Sequence, residues 1–438
     1  MSPEDRDTSG PSGQISRRHL VGWSALIAAA LPFGAAGQPA AAKAGEPVDD
    51  GYQQAVWKAL TADPAVRSYT AVAGGEFLYR PRQLLVAPPD VPRVLARLRA
   101  EGRQVTESPG FAGVSRLRFH QETDIPAVVR TLRDPRQWGG QPVPRVQPHH
   151  VLLGFGNIMG NPGGPPQAAS ALAPPDPARL GEGADVIVGV CDTGIWDRAG
   201  NVHPLWLGGS YLPEPDDEDP LYLSGNQLAL QGGHGTFVAG VVRQAAPGVR
   251  VDPEVALNAN GVGDEEGLVA AIGRLTPDVS IINLSLGYFT QDDQPPLPLA
   301  NALAAVRPRV VVVAAAGNTG TTRKSWPAAL DGVLAVAAVS EVGGGPVPAS
   351  YSSHGPWVDL SARGDRTSTY VHGELHLPGH PILPFSGFAN WAGTSFATGH
   401  VSGRLAALMT AGGWDAPTAA AVMTSDPIWH PDFGVLIG

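Results

Sequence analysis

The chain has 438 residues, room for roughly two or three domains, and 43% of them are apolar, enough for a substantial core. A formal net charge of −10 with no Lys/Arg-rich block excludes a nucleic-acid binder, because phosphate contacts need clustered positive charge. The single cysteine, Cys191, excludes an intrachain disulfide, and the 55 glycines and 43 prolines read as codon bias rather than function.

In chain order, Ser16-Arg17-Arg18-His19-Leu20-Val21 is followed by "GWSALIAAALPFGAAG" and then by the small-residue spacing of "QPAAAKAG". Residues 1–44 resemble a twin-arginine export signal and predict a secreted, extracellular product. The apolar run is short and broken by glycine, poorer than the about 20 apolar residues of a stable span. No later stretch is long enough either, so no stable membrane span is expected once the signal is removed.

One amphipathic helix is predicted at "YQQAVWKALTAD". From Gln83, "QLLVA" reads as a strand, "PDVPRVLARLRAEG" as a helix opened by Asp90 and closed at Gly102, and "GVSRLRF" as a strand. "TDIPAVVRTLRD" reads as a second helix with an acidic start and an early proline. Strand, helix, strand and helix over residues 83–150 predict a small α+β unit with no nucleophile and base of its own. The tract that follows, "PRQWGG" to "GEG", is dense in Pro and Gly and reads as a linker, "VQPHHVLLG" included.

Beyond it, "ADVIVGVCDTGI", "VSIINLSLG" and "RVVVVAAAGN" are continuous apolar strands, the mark of a sheet buried on both faces. Helical patterns alternate with them in "HGTFVAGVVRQ", "EEGLVAAIGRL" and "LPLANALAAVR". The expectation is a doubly wound α/β domain with a parallel sheet over residues 166–438. Functional groups of such sheets collect at the carboxyl ends of strands. Asp192 ends a strand, His234 and Ser395 open helices in "GGHGTFVAG" and "GTSFATGHVSG", and Asn318 follows "VVVVAAAG". A serine hydroxyl needs an imidazole to take its proton, and the imidazole needs a carboxylate to orient it.

Asp-Thr-Gly, His-Gly-Thr and Gly-Thr-Ser-x-Ala, in that order, resemble the subtilisin-like serine peptidases from about residue 165 to the end. The resemblance implies Asp192 as orienting carboxylate, His234 as general base and acid, and Ser395 as nucleophile. It makes Asn318 an oxyanion donor. It implies substrate-binding walls at Ser285, Leu286 and Gly287 and at Ala315 and Gly317, with Ser325 near a pocket floor. The α+β unit, placed before the catalytic sheet, resembles a ferredoxin-like inhibitory propeptide, so 45–165 is expected to be cut off between His149 and Pro166. Arg363 and Gly399 stand where the family usually has proline. No cofactor is required for the chemistry and no metal residue is assigned, although calcium at the acidic run 213–220 is possible for stability. A solvated surface insertion is the blander reading of that run. His372, Glu374 and His376, on one strand face, are a metal set or a polar surface hairpin. Polypeptide substrates and the chain's own propeptide are the expected partners, and the product is expected to be a monomer. A catalytically silent peptide binder and a partner-binding N-terminal module are the competing readings.

Overall fold

In the computed structural model the described residues are 50–438, apart from 73, 155–163, 213, 307, 343–344 and 426–428. The export-signal reading of 1–44 lies outside them.

Helix α1 (Asp50–Ala62) meets the amphipathic expectation, burying Val56 and Leu60 in a core shared with Val188 and Phe237. Then come β1 (Phe77–Val86), α2 (Val91–Ala100), β2 (Val105–Phe111), β3 (Val114–Phe119), α3 (Ile125–Arg133) and β4 (Val146–Gly154). Helix α2 buries Val91, Val94 and Leu98, one helical face, and Gly102 ends its turn at φ +75°. Helix α3 starts where the Asp124 carboxylate accepts the Ala127 N–H at 3.0 Å.

The second half supplies β5 (Ile187–Asp192), α4 (His234–Ala245), β6 (Arg250–Val255), β7 (Val262–Asp264), α5 (Glu265–Arg274), β8 (Ile281–Leu284) and β9 (Leu286–Gly287). It continues with α6 (Leu297–Val306), β10 (Val311–Ala315), β11 (Val333–Val342), β12 (Leu360–Arg363), β13 (Asp365–Leu375), β14 (Leu383–Ala392), α7 (Thr394–Gly412) and β15 (Gly434–Ile437). Seven strands of the nine-stranded main sheet run in the order β6-β5-β8-β10-β11-β12-β15, and each of these neighbours is parallel. Its interior strands are buried along their length, the burial that their unbroken apolar sequence implies.

Two expectations change. "VQPHHVLLG" is not linker but strand β4, buried almost throughout, because its partners lie far away in sequence. Nor is the α+β unit a separate domain. Its strand order β4-β1-β3-β2 continues through β4 into β7 and, off that path, β9, making one seven-stranded sheet with the C-terminal part. The unit rests on the amino ends of α5 and α6. There Arg116 grips Glu266 at 2.6 and 3.1 Å, and Arg80 pairs with Asp264 at 2.8 Å. The Gln147 side-chain carbonyl accepts the Leu297 N–H at 2.7 Å.

The 365–391 stretch is an antiparallel pair, β13 with β14, that lies on α4 rather than out on the surface. Ser368 and Thr369 donate to the carbonyls of Phe237 and Thr236, at 2.8 and 2.9 Å, and Trp391 is buried at its end. The pair thereby delivers the chain tightly into α7.

Candidate active site

Asp192 is the last residue of β5 and His234 the first of α4, and both side chains are fully buried. Nδ1–H of the imidazole donates to Asp192 Oδ1 at 2.7 Å, and the Thr193 N–H donates to the same oxygen at 2.7 Å. With the proton on Nδ1, Nε2 presents a lone pair. It is buried and has no hydrogen-bond partner. Trp391 stands edge-on to the imidazole, with centroids 5.3 Å apart, and Phe396 lies 5.4 Å away. These two rings pack against the imidazole and wall it in. Gly235 is required here, since a Cβ would run into the carbonyl oxygen of Gly194.

Ser395 lies in the first turn of α7, fully buried. Its hydroxyl donates to the Ser285 carbonyl at 3.3 Å rather than to His234. The Ser285 hydroxyl in turn lies 3.0 Å from the Ser395 carbonyl and 2.9 Å from Asn283 Oδ1. Asn318 accepts from the Thr394 N–H at 3.0 Å and the Thr394 hydroxyl at 2.9 Å, both through Oδ1. Its amide nitrogen is therefore turned the other way, 3.3 Å from where a Cβ on residue 393 would stand. Glycine at 393 avoids that close approach beside the mouth of α7. Gly317 sits at φ +109° and donates its N–H to the Thr394 hydroxyl at 3.2 Å.

The predicted walls are occupied by the chain itself. Strand β4 enters antiparallel between β7 and β9, with Leu153 opposite both Val262 and Gly287 and Gly154 opposite Leu286. The Gly154 N–H donates to the Gly261 carbonyl at 2.8 Å. Leu152 is buried in the cluster that holds Leu257, Leu268 and Leu286, while Leu153 packs on Ala315. Ser325 is buried, its hydroxyl donating to the Ala316 carbonyl at 2.6 Å.

Sequence reading missed three features. Strand β4 carried a signal, the "VLLG" run, hidden by flanking prolines. Glu265, fully buried, accepts from Gln147 Nε2 at 2.9 Å, the His150 N–H at 3.0 Å and the Tyr288 hydroxyl at 3.0 Å. The acidic run alternates, with Asp217 and Asp219 buried and Asp216 and Glu218 exposed, so it is no simple solvated insertion. Burial pushes Asp217 up to about 8 and Asp219 up to about 7. His372 faces Trp196, with centroids 5.1 Å apart, and His376 bonds Glu374 at 3.2 Å. Among the described residues no three His, Cys, Asp or Glu side chains gather in a way that could hold a metal. Cys191 is fully buried, and burial raises its thiol well above the usual range.

A parallel α/β sheet that brings carboxylate, imidazole and serine to its strand and helix ends is an arrangement known from serine hydrolases. The chain belongs to the subtilase family, whose model matches residues 183–426. It is 32% identical over 237 residues to the thermostable alkaline protease of Halalkalibacterium halodurans, covering 51% of this chain and 56% of that protein. Fervidolysin of Fervidobacterium pennivorans is 29% identical over 253 residues, 52% of this chain and 35% of fervidolysin. Subtilisin DY of Bacillus licheniformis is 31% identical over 245 residues, 52% and 78% of the respective chains. The chain therefore spans only part of the first two relatives. The crystal structure of fervidolysin, a keratinolytic enzyme related to subtilisin, shares the fold. Its TM-score is 0.56 at 22% identity, over 82% of this chain and 60% of that one. Among the described residues no helix is long and apolar enough to cross a membrane.

Proposed function

We propose that the chain is a secreted serine endopeptidase, made as a precursor that cuts itself. The observation carrying the reading is the buried Asp192–His234 pair, whose open Nε2 lies in the same aromatic enclosure as the Phe396 turn that bears Ser395. A rotation of the Ser395 hydroxyl from the Ser285 carbonyl brings its proton to Nε2. Oγ then attacks the substrate carbonyl carbon, and the imidazolium formed is balanced by Asp192. The tetrahedral oxyanion is met by the Asn318 amide and the Ser395 N–H at the positive end of α7. The leaving amine takes the proton back from Nε2, and water hydrolyses the acyl-enzyme by the same route. No cofactor enters these steps. No step is routed through calcium.

The segment ending in β4 acts as the propeptide, and the register of β4 supports a particular cut. Gly154, the last described residue of β4, faces Leu286, the residue directly after Ser285. The Ser285 carbonyl is within 3.3 Å of Ser395 Oγ. The cut is expected just past Gly154, and we take the Phe155–Gly156 bond as the one to test. This narrows the cut within the 149–166 interval and moves the domain boundary there from 165 to 155. Leu152, three residues before Phe155, fills an apolar pocket, so the substrates are polypeptides with an apolar side chain at that position. Until cut, the tethered strand keeps the cleft shut by its high effective concentration. The test is N-terminal sequencing of the mature chain together with fluorophosphonate labelling. Gly156 as first residue and label on Ser395 are expected. An unlabelled chain overturns the peptidase reading, and another first residue overturns the register.

A further inference from the structure

We propose that Asp219 is a positioning residue for the catalytic pair, holding the loop of Asp192 and the helix of His234 at a set separation; this rests on the peptidase reading above. Asp219 is 2% exposed, and one of its oxygens does all its bonding. Oδ2 accepts from the Thr193 hydroxyl at 2.6 Å and from the Gly233 N–H at 2.8 Å. These are the residues directly after Asp192 and directly before His234. The Thr193 hydroxyl oxygen also accepts the Gly235 N–H at 3.1 Å, so both neighbours of His234 are joined to the neighbour of Asp192. Thr193 is the hub, since its N–H holds the same Asp192 oxygen that receives the imidazole proton.

The carboxylate cannot withdraw. Its backbone runs beside residues 193–195, with the Ile195 N–H donating to the Asp217 carbonyl at 2.8 Å and the Asp219 N–H to the Ile195 carbonyl at 3.0 Å. Neither donor on Oδ2 belongs to the reacting set, so Asp219 touches no substrate and no reacting atom. It acts through geometry alone. A buried charge with an unbonded second oxygen would be costly if packing were its only purpose, and burial accordingly pushes this group up to about 7. Acid and anion both keep an oxygen that accepts two bonds, so the link survives protonation. An asparagine oxygen can accept both bonds as well.

The experiment uses full-length precursor carrying Asp219→Ala, Asp219→Asn or Thr193→Val. Self-cleavage is followed as a single turnover, and kcat and KM on a peptide are measured per fluorophosphonate-titrated site. A displacement of the pair by about 1 Å costs on the order of 100-fold, so Asp219→Ala is expected to lose about 30- to 100-fold in kcat with KM within about threefold. Thr193→Val, which removes the hub hydroxyl, should lose a similar factor, and Asp219→Asn should stay within about threefold of the unaltered chain. Asp219→Ala with a lowered Tm but unchanged kcat per titrated site overturns the proposal, leaving a merely structural role. Asparagine as slow as alanine also overturns it, because the bonds would then not be the link. Should the alanine chain not fold, Thr193→Val and Asp219→Asn decide on the same criteria. If the unaltered chain is active and all three variants match it, only this inference falls. An inert unaltered chain removes the peptidase reading and this with it.

Discussion

Gly154→Val tests whether β4 occupies the cleft as a substrate would. Gly154 has extended backbone that valine can adopt, so any effect comes from packing. A Cβ there would lie 3.0 Å from Gln231 Oε1 and 3.2 Å from Leu257 Cδ1, tighter than ordinary contact, and valine adds two methyls. Overpacking of this kind costs about 1–3 kcal/mol. At about 1.4 kcal/mol per factor of ten, the equilibrium constant for seating the strand falls roughly 5- to 140-fold, and self-cleavage slows by up to that factor. The assay is the time course of precursor disappearance at two protein concentrations, since an intramolecular cut is first order. Gly181→Val serves as control, because nothing lies within 4 Å of a Cβ there. Cleavage of Gly154→Val at the unaltered rate and at the unaltered bond would refute the reasoning: the strand would then not be what Ser395 cuts.

Ser395→Ala is expected to leave the precursor whole in a host free of other proteases, because acyl transfer needs the hydroxyl; normal processing there counts against the nucleophile. Asn318→Ala should fold and bind peptide but lose about 100- to 1000-fold in kcat, the size known for one such donor in a subtilisin. A change confined to KM would contradict it. The third expectation concerns pH. Burial, with Glu254 and Asp216 adding negative charge, pushes Asp217 from 3.8 to about 8. The folded chain thus keeps a proton that the unfolded chain releases, and stability falls as pH rises from about 4 to about 8. Asp217→Asn should therefore raise Tm at pH 9 and have little effect at pH 4.5. An equal shift at both values would show that the charge is not the cause.

The amino-acid sequence by itself determined the local parts. Unbroken apolar runs gave the parallel strands, acidic starts with early prolines gave α2 and α3, and three short motifs marked Asp192, His234 and Ser395. Each of these is written within a few residues, because strand burial, helix capping and close turns are local demands. Only the tertiary structure decided the rest. "VQPHHVLLG" has linker composition, and it is a strand because Phe77–Val86 pairs with it on one side and Val262–Asp264 and Leu286–Gly287, more than 100 residues later, on the other. Asp219 reads as one acid in an exposed run, and only the fold turns it inward onto Thr193 and Gly233. The 365–391 stretch looked like a surface hairpin until α4 supplied the carbonyls its hydroxyls needed. Backbone edges and buried polar groups must find partners, and which partners they find depends on what the folded chain brings near, something no short stretch of sequence contains.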